Sequence, residues 1–370
     1  MRGKLVLVQG LRALAALMVV VHHAQNEAMI LAGRTGTDFV PRDPLPWPAG
    51  VDIFFVISGF IIVHAAAPLY GRPGARGRFV AHRIARLVPL YWLVTGLYLA
   101  LGLAAPALLS GEGGPPDAAR ILASFLFWPM ARPDGAVLPL YGLGWTLNYE
   151  MAFYALFALG LGFSRRGAVA WLVAALALLV LAGRLLPAPP VSLAFWSDPI
   201  VLEFALGAGL ALLRAEDWRL HAPARAALAA AGLFGLAAAP DAPALRLLAW
   251  GLPAALLVAA AVLGRDRPEA ARGGWAARLL GAAERLGDAS YALYLLHPFA
   301  LRAVREGLLR SGFAVTLGPW PSLVLMVVLT LPAALLVHRL VERPLTRFVR
   351  RALEPARPAA ASKSAVTPER

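Results

Sequence analysis

The chain has 370 residues, 59% of them hydrophobic and only 15% charged, with a formal net charge of +14. A water-soluble fold of that composition would lack the polar residues to cover its surface, so the sequence describes an integral membrane protein whose first partner is the lipid bilayer. The arginines fall in short loops beside apolar segments, as the positive-inside rule requires, and this distribution argues against nucleic acid as a partner.

Apolar segments recur near 6–32, 50–67, 87–109, 145–163, 167–187, 199–213, 225–240, 244–264, 286–305 and 318–340. Most are long enough to cross a bilayer, so the expected fold is all-α: a polytopic membrane protein of about ten transmembrane helices. The first is read as a retained span, because its apolar run outlasts a secretory signal and no persuasive cleavage site follows. The run ILASFLFWPM at 121–130 is too short to cross and is expected to dip in and return as a re-entrant segment. An N-terminus on the inside puts the basic loops at 71–86, 214–225 and 264–279 on the same side. Arg302, Arg305 and Arg310 then fall on the other side, against the rule. Residues 346–370 are polar and small and read as a disordered cytoplasmic tail, leaving 1–345 as one transmembrane domain.

Ionisable groups inside spans point to function, because each costs energy in hydrocarbon. Arg12 and His23 are 11 positions apart, about 20° beyond three helical turns, so they share one helix face roughly 16 Å apart along the axis. His22 points about 100° away. The alternative is that Arg12 snorkels to the interface and both histidines sit among outer headgroups. In the second span Asp52 stands at the mouth, placed to orient a histidine or simply solvated, while Ser58 and Gly59 let a neighbouring helix come close. Arg83 and Arg86 share a face at the inner end of the third span, where they suit phosphate recognition or an ordinary positive-inside anchor. Glu150 lies inside the apolar layer and needs a partner, a proton or water. Glu203 is likewise buried. The span SYALYLLHPF adds Asp288 before it, then Ser290, Tyr291, Tyr294 and His297, which suit hydrogen bonding between helices. The chain has no cysteine, so disulfides, thiolate metal sites and cysteine nucleophiles are excluded, and no metal site is expected.

In order, the first span with Arg, ten residues and His, followed by GVDIFFVISGF, RIARLVPLYW, WTLNYEMAFY, SYALYLLHPF and VERP, resembles the membrane acyltransferase 3 family. The resemblance runs from residue 5 to about 345 and is nearest to exopolysaccharide O-acetyltransferases of the succinoglycan type. It implies an enzyme of the bacterial cytoplasmic (inner) membrane, multi-pass, with both termini cytoplasmic. Such an enzyme moves an acyl group, usually acetyl, from acyl-CoA to a hydroxyl of a surface polysaccharide or its lipid-linked glycan precursor. Acetyl-CoA enters as the donor substrate, and no permanently bound cofactor is implied. Carried over by motif, the essential pair falls on Arg12 and His23, the Arg-x-x-Arg pair on Arg83 and Arg86, and the glutamate on Glu150. His23, Glu150 and Asp52 are then the expected catalytic group, with Arg12, Arg83 and Arg86 binding the donor. The chemistry agrees, since acyl transfer needs a base near neutral pH and cationic contacts for phosphates. The rival expectation is a proton-coupled transporter or flippase using His23, Glu150 and Glu203 as a relay.

Overall fold

The computed structural model describes residues 5–104, 117–240, 242–265 and 274–353. Among these residues the regular structure is helical. The sole extended contact is an isolated antiparallel bridge between Ala131 and Val137. In chain order the helices are α1 (Val6–Thr35), α2 (Gly50–Ala65), α3 (Ala75–Ala104), α4 (Ala118–Phe125), α5 (Trp145–Gly160), α6 (Arg165–Leu185), α7 (Val191–Trp196) and α8 (Leu202–Ala215). The second half adds α9 (Ala222–Ala237), α10 (Leu252–Val262), α11 (Trp275–Asp288), α12 (Ser290–Arg310), α13 (Phe313–Leu317), α14 (Pro319–Val337) and α15 (Arg343–Leu353).

Each of the ten apolar segments holds a helix. Among the described residues five helices are long and apolar enough to cross a bilayer: α1, α2 with its preceding turn, α3, α6, and α14 running on into α15. The others fall short for identifiable reasons. At 16 residues α5 rises about 24 Å against a core of about 30 Å, and α12 carries Arg302, Arg305 and Glu306 in its second half. Local signals set several ends. Asp117 caps α4 by accepting from the Arg120 N–H, Ser164 caps α6 through the Gly167 N–H, and α1 stops at Gly36, whose φ of 68° is the left-handed conformation glycine tolerates. Helix α6 is apolar all round. Leu172 and Leu176 face the core while Leu178 and Leu181 are exposed, an arrangement that needs lipid, not water, outside.

The segment at 121–130 does not form a crossing helix. Only eight residues are helical in α4, a rise of about 12 Å, and the chain then reverses at Phe127 with φ 58°. Two hydrogen bonds hold it against α3, from the Tyr91 hydroxyl to the Ser124 carbonyl (3.1 Å) and from Trp92 Nε1 to the Phe125 carbonyl (2.8 Å).

Buried α2 lies at the centre and packs against α8 through glycine on both sides. A Cβ on Gly59 would sit 2.1 Å from the Phe204 carbonyl oxygen, and one on Gly207 would sit 1.9 Å from that of Val56. The small residues of the ISGF stretch therefore admit a neighbouring backbone.

The helices α1 and α12 run parallel. Arg12 meets Ser290 near their starts, and at their far ends Glu27 pairs with Arg305, Arg302 lies 3.8 Å from Glu27, and Arg34 lies 2.7 Å from Glu306. This pairing compensates Arg302 and Arg305 locally with carboxylates, which offsets their departure from the charge rule expected for the N-terminus-inside arrangement. Helix α15 extends to Leu353, so residues 346–353 of the stretch read as tail are helical; 354–370 lie outside the described residues.

Candidate active site

Five arginines from three regions of the sequence line a single cavity of about 790 Å3. Arg12 comes from α1, Arg83 and Arg86 from α3, and Arg343 and Arg347 from α15. The walls also carry three carboxylates, Glu150, Asp288 and Glu342, so the cavity has an excess of positive charge. Its volume lies in the range of ligand pockets.

The arginines differ in how far they are committed. Arg12 donates to Ser290 Oγ (2.9 Å) and Gln9 Oε1 (3.1 Å). Arg83 is braced between aromatic faces, its guanidinium carbon 5.4 Å from the Phe79 ring centre and 5.9 Å from that of Tyr154, and its buried Nε has no hydrogen-bond partner. A buried donor left unmatched is a place where an anionic ligand gains most. Arg343 and Arg347 follow a π-helical turn, His338–Glu342, in which His338 Nδ1 and Glu342 Oε2 are 2.7 Å apart. The sequence motifs assign neither a role; the available signal was their i,i+4 spacing on a short basic helix that begins with the arginine of VERP, Arg343.

Glu150 faces the cavity from α5. It accepts hydrogen bonds from the Ser58 hydroxyl (3.1 Å) and from the Tyr154 hydroxyl, so its carboxyl group in the apolar layer is partnered.

His23 lies beyond the cavity wall, on the face of α1 that meets α12, as the spacing from Arg12 predicts. Its Nδ1 is 2.9 Å from the Val19 carbonyl oxygen. A carbonyl only accepts, so Nδ1 carries the proton and Nε2 keeps its lone pair. The His23 ring centre is 5.1 Å from that of His22 and 4.8 Å from that of His297. His297 is in turn 6.2 Å from Tyr294, which lines the cavity. His23 is thus connected to the arginine-lined space through two side chains of α12. Among the described residues no group of three His, Asp or Glu side chains is placed to hold a metal.

Asp52 does not reach the cavity and does not orient a histidine. Both of its oxygens are taken by Arg246, at 3.0 Å from Nε and 2.9 Å from Nη2, and that guanidinium lies 4.9 Å above the Trp250 ring. The sequence expectation for Asp52 is corrected by a residue 194 positions away. Fully buried Glu203 lies within the influence of the same pair. Asp52→Ala should therefore cost about 3 kcal/mol, since it strands a largely desolvated arginine, read as a lowered thermal midpoint of the purified protein. Lost activity at an unchanged midpoint would return Asp52 to the site.

The sequence that builds this site is similar to known proteins. A family model described as an acyltransferase domain matches residues 7–339. The exopolysaccharide production protein ExoZ of Rhizobium meliloti (strain 1021) is 33% identical over 315 residues, covering 81% of this chain and 89% of that protein. Protein 2 in the picA locus of Rhizobium radiobacter is 32% identical over 167 residues, covering 42% of this chain and 81% of that protein. No solved structure matches.

Proposed function

The chain belongs to this acyltransferase family, and on that premise we propose that it is a membrane O-acetyltransferase acting from acetyl-CoA on a hydroxyl of an exopolysaccharide sugar or its lipid-linked precursor. The observation that carries the reading is the arginine-rich cavity, reached from three regions of the sequence and connected to a histidine whose Nε2 is a free acceptor. The printed name of the ExoZ relative supports the acceptor class.

Arg83, Arg86, Arg343 and Arg347 bind the phosphates of the donor, with forked guanidinium contacts that suit phosphate oxygens. The thioester arm extends along the cavity past Glu150 and beyond Tyr294 towards His23. His23 Nε2 removes the proton from the acceptor hydroxyl as its oxygen attacks the thioester carbonyl. The C–O ester bond forms, the C–S bond breaks, and the proton passes to the departing sulfur. Donors in the site stabilise the developing oxyanion. Incubating the purified protein with acetyl-CoA and a glycan acceptor should release free coenzyme thiol together with acetylated glycan. Polysaccharide from a strain lacking the gene should be lighter by one acetyl group per modified repeat. An intact acetyl-CoA pool in the first experiment, with unchanged polysaccharide mass in the second, refutes the reading.

This chemistry requires the basic end of the bundle to be cytoplasmic, where acyl-CoA is made, and both termini lie at that end in the ten-span arrangement. Single cysteines at exposed Arg72 and Val40 test it cleanly in a cysteine-free chain. An impermeant thiol reagent applied outside intact cells should label Val40→Cys and leave Arg72→Cys untouched. The opposite pattern would invert the bundle and remove the donor site from its donor.

A further inference from the structure

We propose that His297 is a positioning residue for the transfer: the lone pair on its Nε2 stabilises the positive charge that forms on His23 when His23 takes the hydroxyl proton. The proposal rests on the acyl-transfer reading above.

His297 is fully buried, yet its Nε2 has no hydrogen-bond partner. Its Nδ1 lies 3.2 Å from the Leu293 carbonyl, one turn back on its own helix, so Nδ1 carries the proton and Nε2 is an acceptor. With Nδ1 directed at its own backbone, the opposite side of the ring faces away from α12. His23 is packed against this ring, 4.8 Å between ring centres with the planes at 67°. His23 has the same arrangement, with Nδ1 bound to the carbonyl four residues back.

Two such imidazoles cannot bond to each other at rest, because each offers only a lone pair on its uncommitted nitrogen. This explains why the buried acceptor is unmatched. The mismatch ends when His23 is protonated. Its ring then carries a positive charge, both of its N–H groups are committed, and the ring of His297, with an unmatched lone pair, is packed against it, so His297 acts through its dipole. The O–H bond of the acceptor breaks, an N–H bond forms at His23 Nε2, and that proton later leaves to the departing sulfur. His297 gains and loses no proton. Its part is that of the group which orients and supports a catalytic base. A residue serving only to fill the core would do better as an apolar side chain, because a buried acceptor with no donor is unfavourable.

The test compares His297→Leu, His297→Asn and His297→Gln in the full-length protein, measuring kcat, acceptor KM, acetyl-CoA affinity and thermal midpoint. Leucine fills the space without an acceptor, asparagine is too short, and the glutamine Oε1 reaches about as far as the imidazole Nε2. The expected result is kcat lowered about 10–100-fold in the leucine and asparagine variants, the loss expected when a polar group that supports a nearby charge is removed. Glutamine should recover most of it. Acetyl-CoA affinity should be unchanged, and the leucine variant should melt no lower than wild type. Should leucine fail to yield folded protein, the contrast between asparagine and glutamine carries the same information. The proposal is overturned by a kcat within about threefold of wild type in the asparagine or leucine variant, by equal losses in asparagine and glutamine, or by a loss that tracks donor affinity and midpoint. A wild-type protein that transfers nothing overturns the acyl-transfer reading and this proposal with it. An active wild type with indifferent variants overturns this proposal alone.

Discussion

His23→Ala should lower kcat by about 10²–10⁴-fold, the contribution of a well-placed general base, while the protein remains inserted and folded. The expectation follows from the tautomer. With Nδ1 held by the Val19 carbonyl, Nε2 is the only nitrogen of His23 able to accept a proton. His22 touches His23 edge-on but has no contact with His297 among the ring pairs of this cluster, so His22→Ala should be milder. Transfer assays on both alanine variants, with acetyl-CoA binding measured in parallel, separate loss of chemistry from loss of donor. Activity lost in His22→Ala and kept in His23→Ala would assign the base to the wrong histidine. Equal donor affinity in wild type and His23→Ala is required if the two ends of the site are distinct.

Replacing Arg83 and Arg86 together by alanine should weaken acetyl-CoA binding about 10²–10⁴-fold, taking each charge-assisted contact at about 1.5–3 kcal/mol. Neither arginine is ion-paired among the described residues, and the buried Arg83 Nε has no partner, so both can turn N–H groups to phosphate oxygens. Acceptor KM should change little. Lysine at either position should rescue only in part, because an ammonium provides charge without the planar fork. At Arg83 the loss should be larger, since the aromatic faces of Phe79 and Tyr154 that hold a flat guanidinium do not hold a lysine equally. Calorimetry or equilibrium dialysis with acetyl-CoA reads the result. Unchanged affinity in the double variant would leave the pair as a signal of topology alone.

Membrane class, helical fold and family could be read from the sequence because each depends on local or ordered information. Composition excludes a soluble surface, segment length gives the helices, and motifs in fixed order point to the acyltransferase family that the comparisons identify. The shared face of Arg12 and His23 was also legible. It depends only on 100° per residue, and in the structure both side chains meet α12. What covers a face is a different matter. Asp52 found Arg246 at a separation of 194 residues, and Arg305 found Glu27 at 278. The assembly of Arg12, Arg83 and Arg86 with Arg343 and Arg347 around one space likewise depends on how α1, α3 and α15 pack. His297 was visible as a residue, but its contact with His23 was not. In a soluble helix a polar face and an apolar face at least distinguish outside from inside. Helices such as α6 are apolar on every side, because lipid and protein neighbours are equally apolar, so periodicity carries little trace of which face turns inward. Only the close approaches, as at Gly59 and Gly207, and the pairing of buried charges fix the arrangement, and both are properties of the packed bundle.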